Sequence, residues 1–141
     1  MVLVGATTAM ADTTFPANFK VGVVDVQAVV SKSAQVQALK TEQQQKLTEL
    51  QKWLETVRAD VEKQQTKEGK EKLIKKYDAD FAKKQEAIKS NYTKKLQAID
   101  VSISKTIAEQ AKAKNYNMIF AKGTVLYGGD DITKDIIKVV K

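Results

Sequence analysis

The sequence predicts an α+β fold in which a long antiparallel helical hairpin, of coiled-coil character, is inserted into a small β-sheet head. Three observations predict it. Residues 33–114 hold no Pro and one Gly, Gly69, among many Gln, Lys, Glu, Leu and Ala, the composition of long exposed helices. Short β-branched or apolar runs flank this stretch at 20–26 and 118–127, and both have strand character. A polar patch with its lone Gly interrupts the helical stretch near the middle. The chain then divides into a lead-in at 1–19, a head from 20–32 and 115–141, and an arm at 33–114 with its tip near 65–70.

Residues 1–11 read MVLVGATTAMA and end in Ala9-Met10-Ala11. That ending matches an A-x-A cleavage site, so the run reads as the tail of a signal peptide cleaved after Ala11. A loose apolar terminus is the competing reading. Residues 20–26, KVGVVDV, predict a strand, and 27–32 one helical turn. Asp25 stands where a cap for that turn is needed.

The two halves of the arm have different periods. Leu47, Leu50, Leu54, Val57 and Val61 follow spacings of three and four, an a/d seam. Carried backward it meets Gln43, Lys40 and Val36. Trp53 directly precedes Leu54 and flanks the seam. Beyond Gly69, Tyr77, Ile88 and Ile99 recur every 11 residues, as do Phe81, Tyr92 and Ile103, and Leu96 and Ile107. Eleven residues make three turns, which favours a straight or slightly right-handed course. A reversal at Gly69 gives arms of roughly 50 and 65 Å. One continuous rod is the alternative.

At the far end Asn115 suits a left-handed helix stop. Met118–Ala121 predicts a strand, Lys122-Gly123 a turn and Thr124–Tyr127 a second strand. Thr133 fits an N-cap, with Ile132 and Ile137 as a hydrophobic staple. The 20–26 strand is expected to pair with 118–127. Val21, Val23, Val24, Ile119, Phe120, Val125, Leu126 and Tyr127 are the head candidates. So small a head buries little and exposes edges, so it gains by pairing with copies of itself.

Composition narrows the chemistry. The 141 residues include no Cys and no His. That removes thiol nucleophiles, disulfides, Ser-His-Asp arrangements and most transition-metal sites. No phosphate-binding or dinucleotide-binding motif or EF-hand loop occurs, and no cofactor is called for. Gly128-Gly129-Asp130-Asp131 has too few spaced carboxylates for calcium and reads as a turn. Asp78 and Asp80 do not share a helix face. An enzyme is not indicated.

Lys and Arg number 24 against 17 Asp and Glu, a net +7. Residues 40–114 hold 18 of the former and 12 of the latter, so +6 of that charge lies on the arm. Lys72, Lys83, Lys94 and Lys105 repeat at 11, with Lys84 and Lys95 beside them. They form a basic stripe with two readings: a solvated helix face that serves solubility, or a surface that steers acidic unfolded chains or touches anionic lipid or lipopolysaccharide. Lysine is a point charge and no bidentate reader of bases, so specific nucleic-acid recognition is not indicated.

The two ends of the chain resemble those of the Skp/OmpH family of periplasmic chaperones. The carriers are Val21-Gly22-Val23-Val24-Asp25-Val26-Gln27, Tyr116-Asn117-Met118-Ile119-Phe120, Val125-Leu126-Tyr127 and Asp131-Ile132-Thr133 through Ile136-Ile137. The resemblance covers roughly residues 20–141. Asn115 stands where the family usually has Gly. The resemblance implies a homotrimer whose three hairpin tentacles enclose a cavity. It also implies an ATP-independent holdase for unfolded outer-membrane proteins. On such arms the apolar residues left over from the seam are client-contact candidates: Trp53, Leu73, Ile74, Tyr77 and Phe81. Zipping the two arms together is their alternative use. A tethering coiled coil that binds anionic lipid or polymer is the second functional reading, and a nucleic-acid-binding coiled coil the third.

Overall fold

The computed structural model describes residues 15–141. The signal-peptide reading of 1–11 therefore lies outside the described residues. The elements run β1 (Val21–Val24), α1 (Val26–Lys32), α2 (Ala34–Lys63), α3 (Lys67–Ala113), β2 (Met118–Ala121), β3 (Asp130–Asp131) and α4 (Thr133–Val139). Two long helices and a small three-stranded sheet thus account for most of the chain.

β1 ends where Asp25 takes over. Its side chain accepts from the Ala28 backbone N–H and caps α1. Ser33 does the same for α2, accepting from Val36, and its hydroxyl donates to the Lys141 carbonyl at 2.6 Å. Ser33 is fully buried, so this one hydroxyl fastens the root of the arm to the end of the chain. The chain reverses at Gln64–Thr66, where Gln64 and Thr66 are extended. Gly69 is not in the reversal. It lies in the first turn of α3, where Thr66 Oγ1 accepts from its N–H. A Cβ there would come within 2.7 Å of that oxygen, so the absent side chain leaves room for the cap. Asn115 ends the helical stretch with φ 58°, the left-handed stop its side chain tolerates.

The sheet order is β2-β1-β3, with β1 parallel to both neighbours. Val21–Val24 pairs with Met118–Ala121, and Gly22 and Val23 with Asp130 and Asp131. Thr124–Tyr127 is not a strand. Lys122–Thr124 forms a 3-10 turn and the third strand is displaced to Asp130–Asp131. The reason is topological: β2 finishes level with the end of β1, and a third parallel strand must start back at the beginning. Residues 122–129 are used for that return. Gly128 and Gly129 close it at φ 87° and 86°.

Thr133 does not cap its own helix. It is the first helical residue, and Asp131 Oδ1 accepts from both its N–H and its hydroxyl. The Thr133 oxygen also accepts from the Asp25 N–H at 2.9 Å. Ile132 and Ile136 are buried beside it, and Ile137 is partly buried against the same cluster. The core gathers Val24, Val29, Val36, Leu39, Ile99, Ile103, Ile132 and Ile136. It lies where the arm meets the head.

Asp131 is held down to about 2 from an ordinary 3.8, first by the Thr133 hydroxyl, then by the Thr133 N–H and Lys122. A depressed carboxyl stabilises the fold above its ordinary pKa and loses that contribution as pH falls from 3.8 towards about 2. Acid titration followed by circular dichroism is expected to show the head weakening across that window. Asp131→Asn should flatten part of the dependence. Thr133→Val, which strips the hydroxyl from a buried site, is expected to cost about 1–3 kcal/mol in urea unfolding.

Candidate functional site

The arms pack antiparallel. Glu42 of α2 accepts from Lys95 and Asn91 of α3, Trp53 meets Tyr77 and Phe81, and Asp60 meets Tyr77. The α3 partners move toward its start as the α2 residues move toward the tip, as a hairpin requires. The Lys95 hydrogen bond, then that of Asn91, holds the Glu42 carboxyl below its ordinary range.

Trp53 joins the contact between the arms instead of flanking it. Its ring stacks on Phe81 at 6.4 Å and meets Tyr77 edge-on at 5.8 Å, geometries that aromatic pairs favour. The Tyr77 hydroxyl donates to Asp60 at 2.8 Å, and that bond is the main cause of its raised pKa. Lys84 Nζ sits over the Trp53 ring, 5.1 Å from its centre, a cation–π contact. These residues form an aromatic clasp toward the outer half of the arm. Of the client-contact candidates, Trp53, Tyr77 and Phe81 are therefore half-buried in the clasp. Leu73 is also half-buried, and Ile74 is exposed.

Between the clasp and the Glu42–Lys95 pair, open grooves lie along the seam of the two arms. Leu50 of α2 and Ile88 of α3 line both of these grooves. One groove, of about 310 Å³, is walled by Leu50, Trp53, Ala87 and Ile88 and edged by Lys46, Glu49 and Lys84. The other is walled by Leu47, Leu50, Ile88 and Tyr92 and edged by Glu86 and Lys89. Leu47, a seam residue by spacing, is left exposed on this second side. The grooves went unread in the sequence because they arise from facing residues far apart in the chain. Ala87 carries no signal at all, and the Glu42–Lys95 pair spans 53 positions.

Because α3 is unbroken, Lys72, Lys83, Lys94 and Lys105 lie in one row, about 16 Å apart. All four are exposed. Helical angles put the row roughly opposite Phe81 and Tyr92, on the side away from α2. Lys105 pairs loosely with Glu109 at 3.8 Å. Lys84 and Lys95 are drawn instead to the Trp53 ring and to Glu42.

In the head, Val24 and Ile119 face the core, and Val21, Val23, Met118 and Phe120 stand on the opposite face of the sheet by strand alternation. The return loop partly covers that face: a shallow hollow is lined by Val21, Phe120, Val125 and Leu126. Met118 and Phe120 remain partly open, at 45% and 41% exposure. Leu126 and Tyr127 are 105% and 98% exposed. Among the described residues no cluster could hold a metal ion, and no helix is long and apolar enough to cross a membrane.

Together these features define a sheet-headed helical-hairpin protein with open grooves along its arm. The chain belongs to the OmpH-like outer membrane protein family, whose profile matches residues 20–140. Membership supports a general chaperone-type role. A search of curated proteins gives no match to the chain.

The clasp carries a direct test. Phe81→Ala removes the ring stacked on Trp53, the chain's single tryptophan. Its fluorescence emission is expected to move to the red while the far-ultraviolet dichroism of the helices persists. Tyr77→Phe should shift the unfolding midpoint only slightly, since it removes one solvent-open hydrogen bond to Asp60 and keeps the ring.

Proposed function

We propose that the chain is an ATP-independent periplasmic holdase. In this reading it works as a homotrimer and shelters unfolded outer-membrane proteins between its arms. The observation that carries the reading is the apolar outer face of the head set beside long, unfilled arms. Met118, Phe120, Leu126 and Tyr127 leave apolar side chains open to solvent on the outer side of a small head, the kind of surface that favours a partner. A copy of the same chain is the partner that a symmetric assembly supplies. The sheet then forms the body of the assembly, and the arms project from it as tentacles.

The arms fit the same role. Their apolar contacts are small and spread out, so each binds an unfolded chain weakly and many together hold it. Release needs no fuel under such conditions. The basic excess of the arms attracts acidic clients from a distance. In the periplasm this arrangement would keep barrel proteins from aggregating before they reach the outer membrane.

The exposed lysine row of α3 favours a second reading, an envelope tether that binds anionic lipid or polymer. Its affinity would fall steeply with salt. Light scattering of the chain beginning at Asp12, with and without an unfolded outer-membrane barrel protein, separates the two. The holdase reading expects three chains per particle, uptake of one client and no aggregation. A monomer or dimer that lets the client aggregate overturns it. Leu126→Asp with Tyr127→Asp is expected to reduce the particle to single chains without loss of helix.

A further inference from the structure

We infer that the groove between Leu50, Trp53, Ala87 and Ile88 is a discrete anchor for one aromatic side chain of an acidic unfolded segment. The inference rests on the holdase reading and adds a defined subsite to it. The two grooves lined by Leu50 and Ile88 share these two side chains but differ in charge. The second is balanced by Lys89 and Glu86. The first carries Lys46 and Lys84 against Glu49, a net positive rim. Lys46 is paired with Glu49 at 3.3 Å. That leaves Lys84, held over Trp53 by the ring rather than by a carboxylate.

A cation resting on an aromatic face keeps its charge available to an approaching anion. The groove therefore offers an apolar slot with one ammonium group at its lip. An aromatic side chain in the slot would lie against Leu50 and Ile88 and meet the Trp53 ring. A neighbouring Asp or Glu of the same segment would meet Lys84. A volume of about 310 Å³ suits one side chain and not a folded element. Ala87 is the smallest side chain lining the groove, so a larger residue there would narrow the slot.

Trp53 reports occupancy directly, being the only tryptophan. The full chain is titrated with an unstructured peptide bearing Phe flanked by Asp. Two control peptides replace Phe by Ala, or Asp by Lys. The expected result is a Trp53 emission change with the first peptide and little with either control. Ala87→Leu should weaken that peptide by about fivefold or more, as loss of an aromatic contact does. Lys84→Glu should weaken the acidic peptide and leave its Lys counterpart unharmed or improved. Both positions are exposed, and unfolding melts check that the variants fold. Unchanged binding by folded Ala87→Leu overturns the anchor. So does a Trp53 response to phosphatidylglycerol vesicles that exceeds the peptide response and disappears in Ala87→Leu. Suppression of client aggregation is measured on the same samples. If wild type suppresses aggregation but the groove variants bind peptide normally, the anchor fails and the holdase stands. If peptide binds in the groove but no aggregation is suppressed, the anchor stands and the holdase reading fails.

Discussion

The central strand β1 is parallel to both of its neighbours, and the rest of the structure depends on that pairing. A parallel neighbour cannot be reached by a tight turn, because the chain must travel back along the sheet before pairing again. Two such journeys are needed. The first is made by α1, α2 and α3, so the whole hairpin is in effect one enlarged crossover. The second is made by the loop at 122–129, which lies over the outer face of the sheet. The shape of the molecule follows: an arm leaves on one side and an apolar loop is displayed on the other.

The root of the arm is where these constraints are fastened. Ser33 and Thr133 are the two buried polar residues among those described, and each joins segments 108 positions apart. Thr133 links Asp25 and Asp131 through its hydroxyl, and Ser33 links the start of α2 to Lys141. Buried hydroxyls are costly unless bonded, so both are tied to partners that fix geometry. Around them the aliphatic core draws on β1, α1, α4 and both long helices. Arm and head therefore share one core.

Away from the root the arm becomes a different material. Close side-chain contact recurs at the Glu42–Lys95 pair and at the aromatic clasp, and open grooves lie between them. The charge is divided as well. The lysine row of α3 lies away from the seam, whereas Lys84 and Lys95 turn inward to partners on α2. The lysines of α3 thus lie on two faces of one helix, one open to solvent and one turned to α2.

Much of this was legible in the sequence. The Pro-free stretch marked the helices, the change from a 3-4 spacing to an 11-residue period marked two arms, and Asp25 and Asn115 marked helix boundaries. These are local properties, set by backbone preference and by which residues share a face. The misread positions were governed by partners far along the chain. Thr124–Tyr127 has strand composition, yet parallel pairing to β1 requires those residues for the return. Gly69 has the look of a turn, yet its neighbour Thr66 needs the space a side chain would occupy. Trp53 falls beside the a/d seam by counting, yet Phe81 and Tyr77 draw it between the arms. Thr133 looked like a cap and serves as a bridge, because Asp25 and Asp131 converge on it. The sequence alone determined the helices, their periodicity and the charge they carry, since these depend on neighbours within a few residues. The strand order, the clasp and the grooves were decided only by the tertiary structure, since each needs residues many positions apart to meet.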